Sequence, residues 1–218
     1  MIWAAAKENT MEKRKSSFTI GRIVHLAVLI AIIIVMEVTG IGLIKTMGLE
    51  LTIMHIPVII GAIILGPTSG AVLGGAFGLL SFLQCVTGKS PFGAVLFGVN
   101  PIFTFLVCIP TRMLMGWLCG LIFKALRKPE WSRTVVSFAA AGISGALLNT
   151  VFFMTALILL FGQTEFIMGF RGDMKVVPFV LWFVGVQGLV EAIVAFFTGT
   201  VISRALYNFT QKQILKDR

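Results

Sequence analysis

At 218 residues, the chain has 57% apolar and 12% charged residues, a mean hydropathy of +0.99 and a net charge of +9. Soluble domains carry roughly 25% charged residues, so this balance excludes a water-soluble globule and fits a membrane protein of about five to seven spans at roughly 20 residues each. The basic excess does not argue for nucleic acid, because the charges fall between apolar runs, where membrane topology accounts for them.

Residues 1–17 form a tail that ends in KENTMEKRKSS, with Phe18 following; it is polar and basic and precedes an apolar run long enough to span. It therefore reads as a cytoplasmic tail rather than a cleaved signal. The first predicted span runs from about Phe18 to Val38, with Ala27 and Ala31 one turn apart and Glu37 at its far end. The second (Leu51–Leu65) and third (Ser69–Val86) are short and joined by GPTS, in which Gly66 and Pro67 stop one helix and Ser69 is placed to cap the next. The fourth runs from Ile102 to Leu126, the fifth from Ser132 to Phe161 and the sixth from Pro178 to Tyr207, leaving 209–218 as a second tail. The expectation is thus an all-α, six-helix membrane domain over residues 18–208, since open strands cannot span lipid.

Lysine and arginine orient it. Thirteen of them flank the two termini and the connection after the fourth span. Only Lys45, Lys89, Arg171 and Lys175 fall on the opposite side, and Arg112 lies within a span. The positive-inside rule places both termini in the cytoplasm. The long connections, 37–50, 87–101 and 162–177, then face outward, where long loops are commonly functional.

Polar residues inside a membrane are costly and mark function. Here they are His55, Gln84, Asn100, Arg112, Asn149, Gln187 and Glu191, with Lys89 and Trp182 near the outer face. At ~1.5 Å per residue, His55, Gln84, Asn149, Trp182 and Gln187 all fall in the outer half, where they can line one outward-opening pocket for a small ligand. A packed His55 and a chain-turning Asn100 are the plain structural alternatives. Arg112 and Glu191 lie roughly midway down their helices and are expected to pair, with Arg112 also suited to a carboxylate. Gly70, Gly74 and Gly78, Gly116 and Gly120, Ala27 and Ala31, and Gly142 and Ala146 each recur every four residues, the spacing that lets helices approach closely in lipid.

Chemistry is conspicuous by what the motifs lack. CVTGKS ends like a phosphate-binding loop, but Leu83 stands where such a loop needs glycine. His25 and His55 make a poor metal pair, Cys85, Cys108 and Cys119 form no CxxC, and no nucleophile–base set is present. No catalytic residue, metal site or cofactor is expected. The chain reads as able to bind a ligand but not to energise its transport.

The stretches TIMHIPVIIGAIILGPTSGAVLGGAFGLLSF, NPIFTFLVCIPTRMLMGWLCGLIF and VEAIVA resemble the substrate-binding S components of energy-coupling factor (ECF) vitamin transporters over nearly the whole chain. The resemblance implies a high-affinity vitamin-binding subunit in the bacterial plasma membrane. Its implied partners are a transmembrane coupling subunit, which Ala27 and Ala31 would dock, and two cytoplasmic ATPases. HIPVIIGAIILGP looks most like members assigned to pantothenate, with folate, riboflavin, cobalamin or a queuosine precursor as other ligands. A stand-alone membrane carrier is the competing reading.

Overall fold

The computed structural model describes residues 2–46, 49–126, 135–175, 177–181 and 185. Helix α1 spans Ile2–Thr39 and is followed by strands β1 (Leu43–Thr46) and β2 (Leu49–Thr52). Helices α2 (His55–Leu65), α3 (Pro67–Thr87), α4 (Pro91–Val99), α5 (Pro101–Leu126), α6 (Val135–Phe161) and α7 (Glu165–Arg171) complete the described elements. Ile20–Thr39, Pro67–Thr87, Pro101–Leu126 and Ser137–Phe161 are long and apolar enough to cross a bilayer.

Three expectations need correction. The fold class is all-α, but the first outer connection holds an unexpected hairpin: β1 and β2 pair antiparallel, with Leu43 opposite Thr52 and Thr46 opposite Leu49. Leu51 therefore belongs to a strand, and the second helix starts at His55. Ser69 does not cap α3. The cap position is Gly66, at φ +93°, with Pro67 in the first turn, where a missing N–H costs nothing. Ser69 instead sits one turn in and bonds back to the Leu65 carbonyl. The three long connections also prove structured, holding the hairpin, α4 and α7 respectively.

Helix α2 has 11 residues, about 16 Å of helix, and nine of them are buried. Hydrophobic on every side, it is the centre of the core rather than a lipid-facing span. α1, α3, α5 and α6 all pack against it. Ile59 of α2 joins Cys119, Phe123, Phe138 and Ala141 in one cluster, and Val58 joins Ile33, Leu73, Phe77 and Met115 in another. The last predicted span, Pro178–Tyr207, falls mostly outside the described residues; Val177–Leu181 is helical.

Two helix pairs set the frame. A Cβ added to Gly70 would lie 2.3 Å from the Gly116 carbonyl oxygen, one on Gly74 2.1 Å from that of Arg112, and one on Gly78 2.7 Å from that of Cys108. Each step of four along α3 matches a step of four back along α5, so these helices run antiparallel in register with backbones in contact. α1 runs parallel to α3. Arg22 bonds Ser69 and Glu37 bonds Gln84, both 47 residues apart in sequence. The ends of the bundle are named below for these two residues.

Candidate functional site

Two polar groups lie on the α3 side of the bundle. At the Glu37 end, the Glu37 carboxylate accepts from Gln84 Nε2 through one oxygen and pairs with Lys89 Nζ at 3.3 Å through the other. Gln84 is 6% exposed, while the Lys89 side chain is 56% exposed. Glu37 thus joins two residues expected from sequence to serve a ligand, and ties the base of the hairpin to the segment leading into α4.

The two partners contribute unequally. An ion pair to a half-exposed lysine is worth at most about 1 kcal/mol, whereas stranding the buried Gln84 amide costs about 1–3 kcal/mol. Lys89→Ala should therefore barely move the thermal unfolding midpoint, and Glu37→Ala should lower it by several degrees. Equal midpoints for the two variants would contradict this division.

Deeper in the bundle, Arg112 of α5 is 7% exposed. Pro110, two residues earlier in α5, has no N–H to donate to the Leu106 carbonyl. The Val107 carbonyl accepts from Arg112 Nη1 at 2.7 Å and from the Thr111 hydroxyl, and Nη1 also reaches Thr111 Oγ1 at 3.2 Å. The guanidinium is folded back along α5 with aromatic rings on two sides, 5.4 Å from the Phe77 centroid and 4.9 Å from that of Phe153. Such cation–π contacts strengthen when water is excluded.

Asn149 lies on α6 one turn before Phe153 and so shares its face. It is 6% exposed, and its Oδ1 has no hydrogen-bond partner among the described residues. A buried carboxamide oxygen in that state is costly to the fold. Arg112 thus carries a buried positive charge between Phe77 and Phe153, with Asn149 one turn from Phe153 on α6; a guanidinium is a group that suits a carboxylate.

His55 is the first residue of α2 and is fully enclosed. Asn100 accepts the N–H groups of Ile102 and Phe103 at 3.0 and 3.1 Å, so its side-chain oxygen caps α5. Trp182, Gln187 and Glu191, the expected partner of Arg112, lie outside the described residues. Ala27 and Ala31 are on the exposed side of α1. Sequence reasoning missed Glu37 as the pivot and Phe77 and Phe153 as the aromatic walls. The first had a signal, being the one acidic residue within the first apolar run; the phenylalanines, among 19 in the chain, had none.

Residues 21–203 match the family described as ECF transporter, substrate-specific component. The chain is 30% identical over 165 residues to the pantothenic acid transporter PanT of Lactococcus lactis subsp. cremoris, covering 71% of this chain and 79% of that protein. It is 31% identical over 165 residues to the pantothenate transporter PanT of Leuconostoc mesenteroides subsp. mesenteroides, covering 74% and 75%.

Proposed function

Since this chain belongs to the ECF transporter substrate-specific component family, we propose that it binds pantothenate from outside the cell and delivers it inward after docking on an energised coupling module. It is a multi-pass membrane protein and a transport subunit. In this reading the Glu37 end faces outward and the Arg22 end faces the cytoplasm, as the lysine and arginine distribution requires. The module consists of a transmembrane coupling subunit and two cytoplasmic ATPases, which supply the energy that no motif in this chain can. Ala27 and Ala31 dock on the coupling subunit, their small side chains allowing close helix approach.

The observation that carries the ligand assignment is the buried Arg112 guanidinium between Phe77 and Phe153, with Asn149 one turn away. Pantothenate offers a carboxylate for the first, an amide and hydroxyls for the second, and no aromatic ring that would need a larger stacking surface. The names of the two relatives point the same way.

The test is thermal unfolding of the purified chain in detergent against pantothenate, folate, riboflavin, cobalamin and a queuosine precursor. A ligand at 100 times its Kd adds about 2.7 kcal/mol, or about 5–10 °C for a chain of this size. Pantothenate alone should produce that shift; a shift with another compound reassigns the ligand, and uptake by the chain alone in empty liposomes favours the stand-alone carrier.

Asn149→Leu separates function from packing. It removes a buried oxygen that the described residues leave unpaired, so the midpoint should hold or rise while pantothenate affinity falls tenfold or more. A large drop in the midpoint with unchanged affinity would make Asn149 purely structural.

A further inference from the structure

We infer that Arg22 is a positioning residue for docking: bonded to the α2–α3 turn, it sets the rotation of α1 about its own axis and so turns Ala27 and Ala31 outward. The inference rests on the docking role proposed above for that alanine pair.

Helix α1 is held differently from the other long helices. Only 6% of its spanning window is buried, against 39% for α3, 44% for α5 and 33% for α6. Its inward contacts are a narrow apolar stripe of Leu26, Leu29, Ile30, Ile33 and Met36 packed on the Val58–Phe77 cluster. Apolar contact is non-directional, and the lipid-facing side is just as apolar: Ile23, Val24, Val28, Ile32 and Val35 are all exposed. Where both faces of a helix are aliphatic, burial alone distinguishes its rotational settings poorly.

Directional contacts do distinguish them, and among the described residues they lie at the two ends of the spanning part of α1, Ile20–Thr39. Arg22 Nε donates to Ser69 Oγ at 3.1 Å, and Nη2 donates to Ser69 Oγ at 2.9 Å and Thr68 Oγ1 at 2.7 Å. Glu37 is fixed to Gln84 and Lys89 at the opposite end. At 3.6 residues per turn, about 100° per residue, Glu37 points about 60° from Arg22 and Ile33 about 20° from it. On the same wheel, Ala27 lies about 140° and Ala31 about 180° from Arg22. The polar clamps and the alanine pair therefore occupy opposite sides of one helix. Holding Arg22 against the turn presents the alanines to a partner, and releasing it frees that presentation while the ligand site near Arg112 is untouched.

Ser69 gives the test its discrimination. It is 3% exposed, so it cannot touch a docking partner; its hydroxyl meets Arg22 and the Leu65 carbonyl of its own turn, and can affect docking only through these. The experiment measures association of the detergent-solubilised full chain with its coupling subunit and ATPases. Alongside it, the isolated chain is measured for thermal midpoint and for binding of radiolabelled pantothenate. Arg22→Met should weaken association tenfold or more with the other two readouts unchanged. Arg22→Lys, which keeps a donor, should recover part of the loss. Ser69→Ala should reproduce part of it and add nothing to Arg22→Met in the double variant.

Full association of Arg22→Met overturns the inference. So does a loss in Arg22→Met that Ser69→Ala neither shares nor blunts, because Arg22 would then be touching the partner itself. A fall in midpoint that accounts for the lost association reduces Arg22 to a structural anchor and also overturns it. Ala31→Trp is the control for the underlying reading: if it associates normally, the docking face lies elsewhere and both ideas fall. If it fails to associate while Arg22→Met is normal, only the positioning role falls. The association readout stands even if pantothenate proves not to be the ligand.

Discussion

Gly74→Val should yield no folded protein. A Cβ at this position would lie 2.1 Å from the Arg112 carbonyl oxygen, 2.7 Å from its carbon and 3.1 Å from Met113 Cα. All three are backbone atoms, so no side-chain rotation relieves the clash. Ordinary overpacking costs about 1–3 kcal/mol because neighbours repack; here α3 and α5 must separate. That separation would also open the contacts at Gly70–Gly116 and Gly78–Cys108, since all three belong to one register. Close backbone approach is what holds helices together in lipid, where apolar burial between them gains little. Gly98→Ala in α4 is the contrast: nothing lies within 4 Å of its added Cβ, and replacing a helical glycine gains about 1 kcal/mol. Size-exclusion chromatography in detergent should show aggregate for the first and a monodisperse, slightly more heat-resistant chain for the second. A monodisperse Gly74→Val protein would mean that the helices are not in backbone contact.

Arg112→Ala should remove ligand binding and weaken the fold together. Affinity for pantothenate should fall by 100-fold or more, about 3 kcal/mol, because the carboxylate would enter a site lined by Phe77 and Phe153 with no charge to meet it. Stability should fall by about 2–3 kcal/mol, as both ring contacts and the bond to the Val107 carbonyl vanish and a gap opens between α3, α5 and α6. Arg112→Lys separates the two effects. It restores positive charge but not the planar fork, so it should recover more stability than affinity. Isothermal titration and thermal unfolding on the three proteins decide the matter. If Arg112→Ala matches the parent in both, neither role survives.

The sequence was most informative where one periodicity carried the signal. Four-residue spacing of Gly70, Gly74 and Gly78 marks a contact face, and the structure places α5 directly on it. Spacing does not show which partner each glycine meets: Gly120, in line with Gly116, abuts Pro67 at the turn instead. Hydropathy located the long helices and α2, but not that α2 returns through the middle of the protein instead of against lipid, because a helix buried in protein and one buried in lipid look alike over a short apolar run. The hairpin escaped because LIKTMGLELT holds two strands of only four residues each, too short for their alternation to stand out against loop. The Arg22–Ser69 and Glu37–Gln84 bonds each bridge 47 residues. No local pattern encodes such a pairing, although an arginine and a glutamate at either end of a mostly apolar spanning stretch announce that something must meet them. Arg112 was expected at mid-depth and is buried there; its aromatic enclosure depends on tertiary packing alone.

The constant 47-residue offset has a consequence for how this chain can change over evolutionary time. The alignment of α1 with α3 is fixed by side chains at both ends of the spanning part of α1, and not by the length of what connects them. Thr39 to Met54 is thus an insert between two anchored points, and lengthening such an insert costs little, about 0.6 kcal/mol per doubling of loop length. Residues added in pairs between β1 and β2 would extend the hairpin and keep its alternation, leaving the helices where they are. The outer rim can be redrawn for a differently shaped nutrient while the membrane body, and the surface it shows to the rest of the transporter, is inherited unaltered.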